Sequence, residues 1–489
     1  MESEKTAIMS LRSFDTRSFD NSDDFRHSMG SSGGGVAITD GDMAERQKSF
    51  IARTLRTVGS KFFEGKPLTE LSLHVSVFQP RSFLEKLVDD WDYGPYYLTR
   101  AAMEKNPLQR VKLVAAFVIA GLHGSASLSK PFNPILGETY SAKWKDGTSV
   151  YLEQTNHHPP VTHWLVRHPE DLYTFMGFGM FSGKVNMLEN CVRTRRNGVN
   201  IVDFQDGGRV VILMPYMALR GLLFGERRVE FLGGFSIYDQ KNDLVADFAL
   251  NVDPKFLGIF GGANSKPTDY FRGVVYKPSS AKFQKMDFSG LTAATDQKAS
   301  PYMNSSLLDT KGLELRTDSD IVSTVKAFTK EAEKKPSGLS RPSGLFRGGS
   351  KSGSVSKGAS KAAPAKLKGT DDSRVLCVAQ GTYLGYLDFD QERYWDIRDC
   401  PAERAQPETH DLLPTDARMR RDVQALQAVL DCSDTPEYKE EREKLFDKAQ
   451  VVKEELEKRQ RADKKLREGP EKASIKNNGF FPNQLDLHS

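Results

Sequence analysis

The chain has 489 residues, enough for two or three average domains or for one large barrel with tails. A formal net charge of +4, with 27% charged and 38% hydrophobic residues, excludes a uniform polycation of the nucleic-acid-binding kind and fits a folded core with a polar remainder. Four cysteines, Cys191, Cys377, Cys400 and Cys432, lie far apart with no CxxC pair, which argues for a reducing compartment and against a zinc site or a disulfide framework.

The first ten residues, MESEKTAIMS, place charges and serines where a signal peptide needs an apolar stretch. No run approaches the ~20 apolar residues of a membrane span, so a soluble protein is expected. Residues 1–45 are rich in Ser, Gly and Asp without an apolar period and read as a disordered tail. Within it a tandem repeat, Arg12–Asp15 and Arg17–Asp20, is either a solvated stretch or a phosphorylation or docking site. From about Met43 to Gly124 the pattern is helical. Asn106 before Pro107 is a good cap for a helix with Val111, Val114, Ala115, Val118 and Leu122 on its apolar face. Phe83, Leu84, Leu87 and Trp91 suggest a second amphipathic helix before it.

From about Pro134 to Lys277 the period changes to two. Asp146-Gly147, Asn197-Gly198, Asp206-Gly207, Gly225-Glu226 and Asn242-Asp243 break the alternation at short, even spacing, which predicts a meandering antiparallel sheet or barrel. Residues 296–372 break that pattern, and the Ser-, Gly-, Ala- and Lys-rich stretch Lys326–Lys368 reads as a disordered basic loop. One strand-like run, Thr382–Trp395, follows. Thr435-Pro436 opens a charged helical segment to about Arg467, too polar to pack more than one narrow stripe.

Two segments stand out chemically. Lys130-Pro-Phe-Asn-Pro-Ile-Leu-Gly-Glu-Thr-Tyr140 holds an ammonium and the Asn133 amide on a backbone fixed by two prolines. Glu153-Gln-Thr-Asn-His-His-Pro-Pro160 presents His157 and His158 on extended backbone, where neighbours point to opposite faces and do not make an ordinary two-ligand metal site. Two imidazoles there are suited to donate to phosphate oxygens, although either segment alone also reads as a structural turn. On the C-terminal helix Lys453, Glu457 and Arg461 fall in one stripe, with the carboxylate between two cations. No HExxH motif occurs, the one GxSxG string, Gly30–Gly34, lies in the low-complexity tail and makes no nucleophile elbow, and Gly59–Lys66 lacks phosphate-loop spacing, so no catalysis, metal or cofactor is expected.

Together, KPFNPILGETY and EQTNHHPP resemble the paired signature of oxysterol-binding-protein-related lipid-binding domains, with Thr155 and Asn156 in place of the usual Val-Ser. KEELEKRQR is similar to the family's later headgroup element at Lys453, Glu457 and Arg461. Phe78–Arg110 resembles the family's helical entry, Gly381–Trp395 a late strand, and Leu413–Arg418 the element before its C-terminal helix. The resemblance covers roughly residues 60–485 apart from the basic insertion; the tail Asn478–Pro482 departs from it. It implies an α+β, mainly β fold: a large incomplete antiparallel β-barrel around a lipid tunnel, with an N-terminal lid and helices and C-terminal helices, over residues 46–489. It also implies a non-vesicular lipid transfer protein that exchanges phosphatidylinositol 4-phosphate for a second lipid, sterol first and phosphatidylserine as the alternative; a non-transferring sensor or scaffold is the other reading. Lys130, Asn133, His157, His158, Lys453, Glu457 and Arg461 would hold the headgroup. The expected setting is the cytosol, with peripheral contact to anionic membranes and endoplasmic-reticulum contact sites, and no nucleic acid. No pleckstrin-homology-like module is expected, so targeting falls to the lid, to partners or to the basic insertion.

Overall fold

Alternation and turn chemistry give the framework. A computed structural model of the protein describes residues 30–37, 73–126, 130–157, 160–186, 188–251, 267–278, 318–333, 374–400, 402–409, 412–432 and 435–478. Its strands are β1 (Val36–Ala37), β2 (Phe78–Ser82), β3 (Lys130–Phe132), β4 (Thr139–Lys143), β5 (Ser149–His157), β6 (Pro160–Arg167), β7 (Tyr173–Asn186), β8 (Cys191–Asn197) and β9 (Asn200–Phe204). They continue as β10 (Arg209–Ile212), β11 (Tyr216–Arg220), β12 (Arg228–Asp239), β13 (Leu244–Leu250), β14 (Tyr270–Lys277), β15 (Arg374–Thr382), β16 (Tyr386–Phe389), β17 (Glu392–Asp396) and β18 (Gln406–Pro407).

Sixteen of these form one sheet, running β17-β16-β15-β14-β13-β12-β10-β9-β7-β6-β5-β4-β18. The antiparallel pair β8 and β11 makes a second bridge from β7 to β12, and β1 pairs with β12. Between β17 and β18 the described residues show no pairing, so the barrel is incomplete. Each sequence-read turn joins two strands. At Asp146-Gly147 the glycine takes φ +89° while Asp146 Oδ1 accepts from the Thr148 amide at 2.9 Å.

The helices are α1 (Phe83–Val88), α2 (Gly94–Met103), α3 (Pro107–Ser125), α4 (Asp318–Glu333), α5 (Arg421–Asp431) and α6 (Lys439–Asn478). Asn106 caps α3 as its sequence predicts, its Oδ1 accepting from the Leu108 amide at 3.0 Å. Behind the cap, α3 is apolar nearly all round because it is buried all round. Gly121 permits a close approach: a Cβ there would stand 2.3 Å from the Asp90 carbonyl. This helix shares the main core with Trp91, Trp164, Phe175, Phe235, Phe248 and Trp395 from α1's continuation and the strands. A smaller core joins Val75 and Phe132 to Val423, Leu426, Val429 and Ala449 of α5 and α6.

Several expectations change. Within the stretch read as a tail, Val36 and Ala37 pair with Val229 and Arg228 and are buried; backbone pairing needs no apolar period, so composition missed it. Phe78–Ser82, read as helical entry, is a strand lying parallel to β3. The run Thr382–Trp395 is not one strand but the end of β15 and the hairpin β16–β17. Residues 318–333, inside the region 296–372 expected to be a disordered insertion, form α4, whose Ile321, Val325 and Phe328 are buried. This helix covers the outer face of β12–β14, with Phe328 5.2 Å from the Tyr276 ring. Charged residues dilute its apolar stripe to one side, which is why the region looked structureless. Most of the expected lid, the Arg12–Asp20 repeat and the rest of the basic loop lie outside the described residues.

Candidate functional site

The two sequence motifs are neighbours by strand pairing. Thr139 of β4 lies opposite Glu153 of β5, and the pairing continues as the Gly137 amide donates to the Gln154 carbonyl at 2.8 Å and the Gln154 amide to the Glu138 carbonyl at 2.9 Å. Buried Glu138 then organises the proline loop: its carboxylate accepts from the Ile135 amide at 2.9 Å, from Arg420 Nη1 at 3.0 Å and from the Ser82 hydroxyl. Burial raises its pKa, and Arg420 opposes that shift. Arg420 also donates to the Asn133 carbonyl at 2.6 Å and to Asp422 at 2.6 Å, clamping the loop to the start of α5.

Onto this clamp the chain brings its cations. Lys130 Nζ donates to Asn133 Oδ1 at 2.6 Å and lies 4.7 Å from the Phe78 ring centroid. Lys453, only 3% exposed, reaches the same ring from α6, 5.4 Å away. The Val75 amide holds α6 in place by donating to Gln450 Oε1 at 2.8 Å. Lys453 donates to Glu457, and Arg461 stands 3.6 Å from the other oxygen of that carboxylate, which therefore sits between the two cations. Burial first, then the positive charges of Lys453 and Arg420, push the Lys130 pKa down to about 7 against the pull of Glu457.

Five of the seven sequence-read residues thus form one connected cluster: Lys130, Asn133, Lys453, Glu457 and Arg461. His157 stands at the end of β5, its amide donating to Asn156 Oδ1 at 2.8 Å. His158 lies outside the described residues. The two positions that depart from the motif form local bonds. Thr155 Oγ1 contacts His163 Nδ1 at 2.9 Å, and buried Gln154 accepts from the Thr162 hydroxyl at 2.6 Å while donating to the Asn156 carbonyl at 2.7 Å. A register shift between Gln154 and Asn156 re-aims the strand end there. Sequence reasoning missed Phe78, Glu138 and Arg420. Glu138 lay inside a quoted motif, whereas Arg420 is one arginine among several and carried no signal.

A family model described as oxysterol-binding protein matches residues 60–294. Over that segment, just under half of its length, the chain is similar to the oxysterol-binding protein family. Oxysterol-binding protein 9 of Dictyostelium discoideum is 34% identical over 265 residues, covering 53% of this chain and 60% of the relative. Oxysterol-binding protein-related protein 5 of Mus musculus is 33% identical over 221 residues, 44% of this chain and 24% of the relative. The chain therefore spans only part of the length of these family members. Among solved structures, the Osh3 ORD of Saccharomyces cerevisiae in complex with PI(4)P superposes with a TM-score of 0.50 at 18% identity, over 85% of this chain and 83% of that one. The Osh1 ORD in complex with cholesterol gives 0.53 at 16% identity, over 96% and 88%. At such identities the likeness fixes the fold, the incomplete antiparallel barrel of the oxysterol-binding family.

Proposed function

We propose that this chain is a lipid carrier that takes phosphatidylinositol 4-phosphate by its headgroup at the Lys130–Lys453 cluster and carries it without altering it. The carrying observation is the convergence of two ammonium groups, from opposite ends of the sequence, on the one Phe78 ring. Like charges gathered under partial burial are costly until an anion joins them, and a multiply charged phosphoinositol supplies that anion with hydroxyls to spare. Asn133, His157, His158 and Arg461 complete the proposed donor set, with Glu457 holding the cations in place or accepting from a hydroxyl. The acyl chains would lie in the barrel interior, where each buried methylene contributes about 0.8 kcal/mol. A second lipid, sterol first, would occupy the same interior in exchange; complexes of family folds with PI(4)P and with cholesterol support the pairing. Among the described residues no helix is long and apolar enough to cross a membrane, which fits peripheral attachment for such a carrier.

Extraction of labelled phosphatidylinositol 4-phosphate from liposomes tests the reading. The wild type is expected to remove the lipid intact, and a His157→Ala, His158→Ala variant to fail. Competition with sterol or phosphatidylserine then names the second cargo. A wild type that leaves the lipid in the membrane removes the transfer reading in favour of a scaffold, and a chemically altered lipid would mean an enzyme.

A further inference from the structure

At one end of the sheet two hairpins project together. Val161 of β6 lies opposite Met180 of β7, and Met180 opposite Asn197 of β8, so β7 and β8 continue past the β5–β6 turn to a tip that includes residues 188–190. At about 3.3 Å per residue that extension is roughly 20 Å along the strands. It points to the same end of the sheet as His157. Asn190, at φ +50°, stitches this tip to the β11–β12 tip: its side chain accepts from the Leu223 amide at 2.8 Å and donates to the Phe224 carbonyl at 2.7 Å. Its own carbonyl accepts from the Leu222 amide at 3.2 Å. The fused tip buries Leu222 and holds three apolar side chains outward, with Leu188 101%, Phe224 68% and Leu223 37% exposed.

Just behind the tip the charge turns positive. Lys184 lies directly opposite Arg193 across β7–β8, and Arg195 follows on the same face, stacked 4.3 Å from the Tyr216 ring. Like charges directly opposite one another destabilise a strand pair in water; Glu189 pairs with Arg193 at 2.5 Å, and the Asp318 carboxylate attracts Arg195. These side chains line an outer cleft of about 520 Å³ with Ser182, Leu188 and Tyr216.

We infer that the fused β7–β8 and β11–β12 tip is a docking edge for an anionic phospholipid bilayer. Leu188, Leu223 and Phe224 enter the boundary between headgroups and acyl chains, while Lys184, Arg193 and Arg195, a few residues further up the strands, meet the phosphates. The edge would present the lipid mouth of the barrel to the membrane, yet it needs neither a phosphoinositide nor the headgroup cluster.

Flotation of the full chain with phosphatidylcholine vesicles, with and without phosphatidylserine and free of phosphoinositide and sterol, provides the test. The wild type is expected to bind the serine-containing vesicles. Leu188→Asp with Phe224→Asp should lower that partition by about tenfold or more, the effect of losing two interfacial apolar side chains. Lys184→Glu should lower it about fivefold, and added salt should do the same to the wild type. In a Leu188→Trp variant the introduced indole should be quenched by brominated acyl chains. Near-UV circular dichroism confirms that the exposed substitutions leave the fold intact. Equal binding by wild type and the double variant, or an unquenched indole, overturns the inference. So does a concentration-dependent dimer that the double variant abolishes while vesicle binding persists, because the tip would then be a contact between copies. Failure of phosphoinositide extraction alone leaves this result untouched.

Discussion

Lys130 carries the chemistry most open to measurement. With its pKa down to about 7 from 10.5, the free site holds a largely neutral amine above neutrality. In the proposed site a bound phosphate would restore the ammonium, so binding above pH 7 would require proton uptake, whereas below it the proton is already present. Affinity for phosphatidylinositol 4-phosphate should therefore be flat at lower pH and fall, by up to about tenfold per pH unit, above 7. Titrating the dissociation constant across this range checks the sign; Lys130→Met should bind weakly with the slope gone. A wild-type affinity that rises with pH would exclude this role. The same depressed pKa means that Lys130 itself costs stability at low pH, a cost relieved between about 7 and 10.5 as the folded chain releases its proton before the unfolded one does.

Helix α4 shows how one element can be hidden by its surroundings. Ile321, Val325 and Phe328 make a single buried stripe against β12–β14, and Gly234 leaves room for it, since a Cβ there would stand 2.6 Å from Ile321. Phe328→Ala should destabilise the chain by about 3 kcal/mol, through lost burial and the cavity left beside Tyr276. Denaturant unfolding measures this as a lower midpoint with little change in slope. An unchanged midpoint would mean that α4 does not contribute to the folded state in solution. The C-terminal α6 is organised differently: it is polar on most faces, and among its described side chains Ala449 and Lys453 are the buried ones. Its stripe serves the candidate site as much as a core.

Across the whole molecule, the candidate site exists only where three distant segments meet: β2 with Phe78, the proline loop with Lys130, and α6 with Lys453. A ligand that bridges them binds the folded chain and not the unfolded one, so it should stabilise the protein as a unit. At one hundred times its dissociation constant the gain is about 2.7 kcal/mol, a rise of a few degrees in Tm for a domain of this size. Calorimetry with a short-chain phosphatidylinositol 4-phosphate should show that shift in the wild type and little of it in Lys453→Met. Equal shifts in both would place the ligand elsewhere.

The sequence by itself determined the meander, because strand alternation and Asp-Gly or Asn-Gly turns are local, and it determined the cap of α3 for the same reason. It also marked Lys130, Asn133, Lys453, Glu457 and Arg461, whose motifs are contiguous or recur at helical spacing. Tertiary structure alone decided what sits between them. Phe78 gains its place only when β2 pairs with β3, Arg420 only when α5 meets the proline loop, and Glu138 shows its role only once Ser82 and Arg420 converge on it. The docking of Val36 and Ala37 on β12, and of α4 on the outer sheet, was likewise invisible, since both depend on a partner surface made elsewhere in the chain. Local chemistry writes turns, caps and periodic faces into neighbouring residues; the depressed pKa of Lys130 and the fused apolar tip arise from contacts that no window of sequence contains.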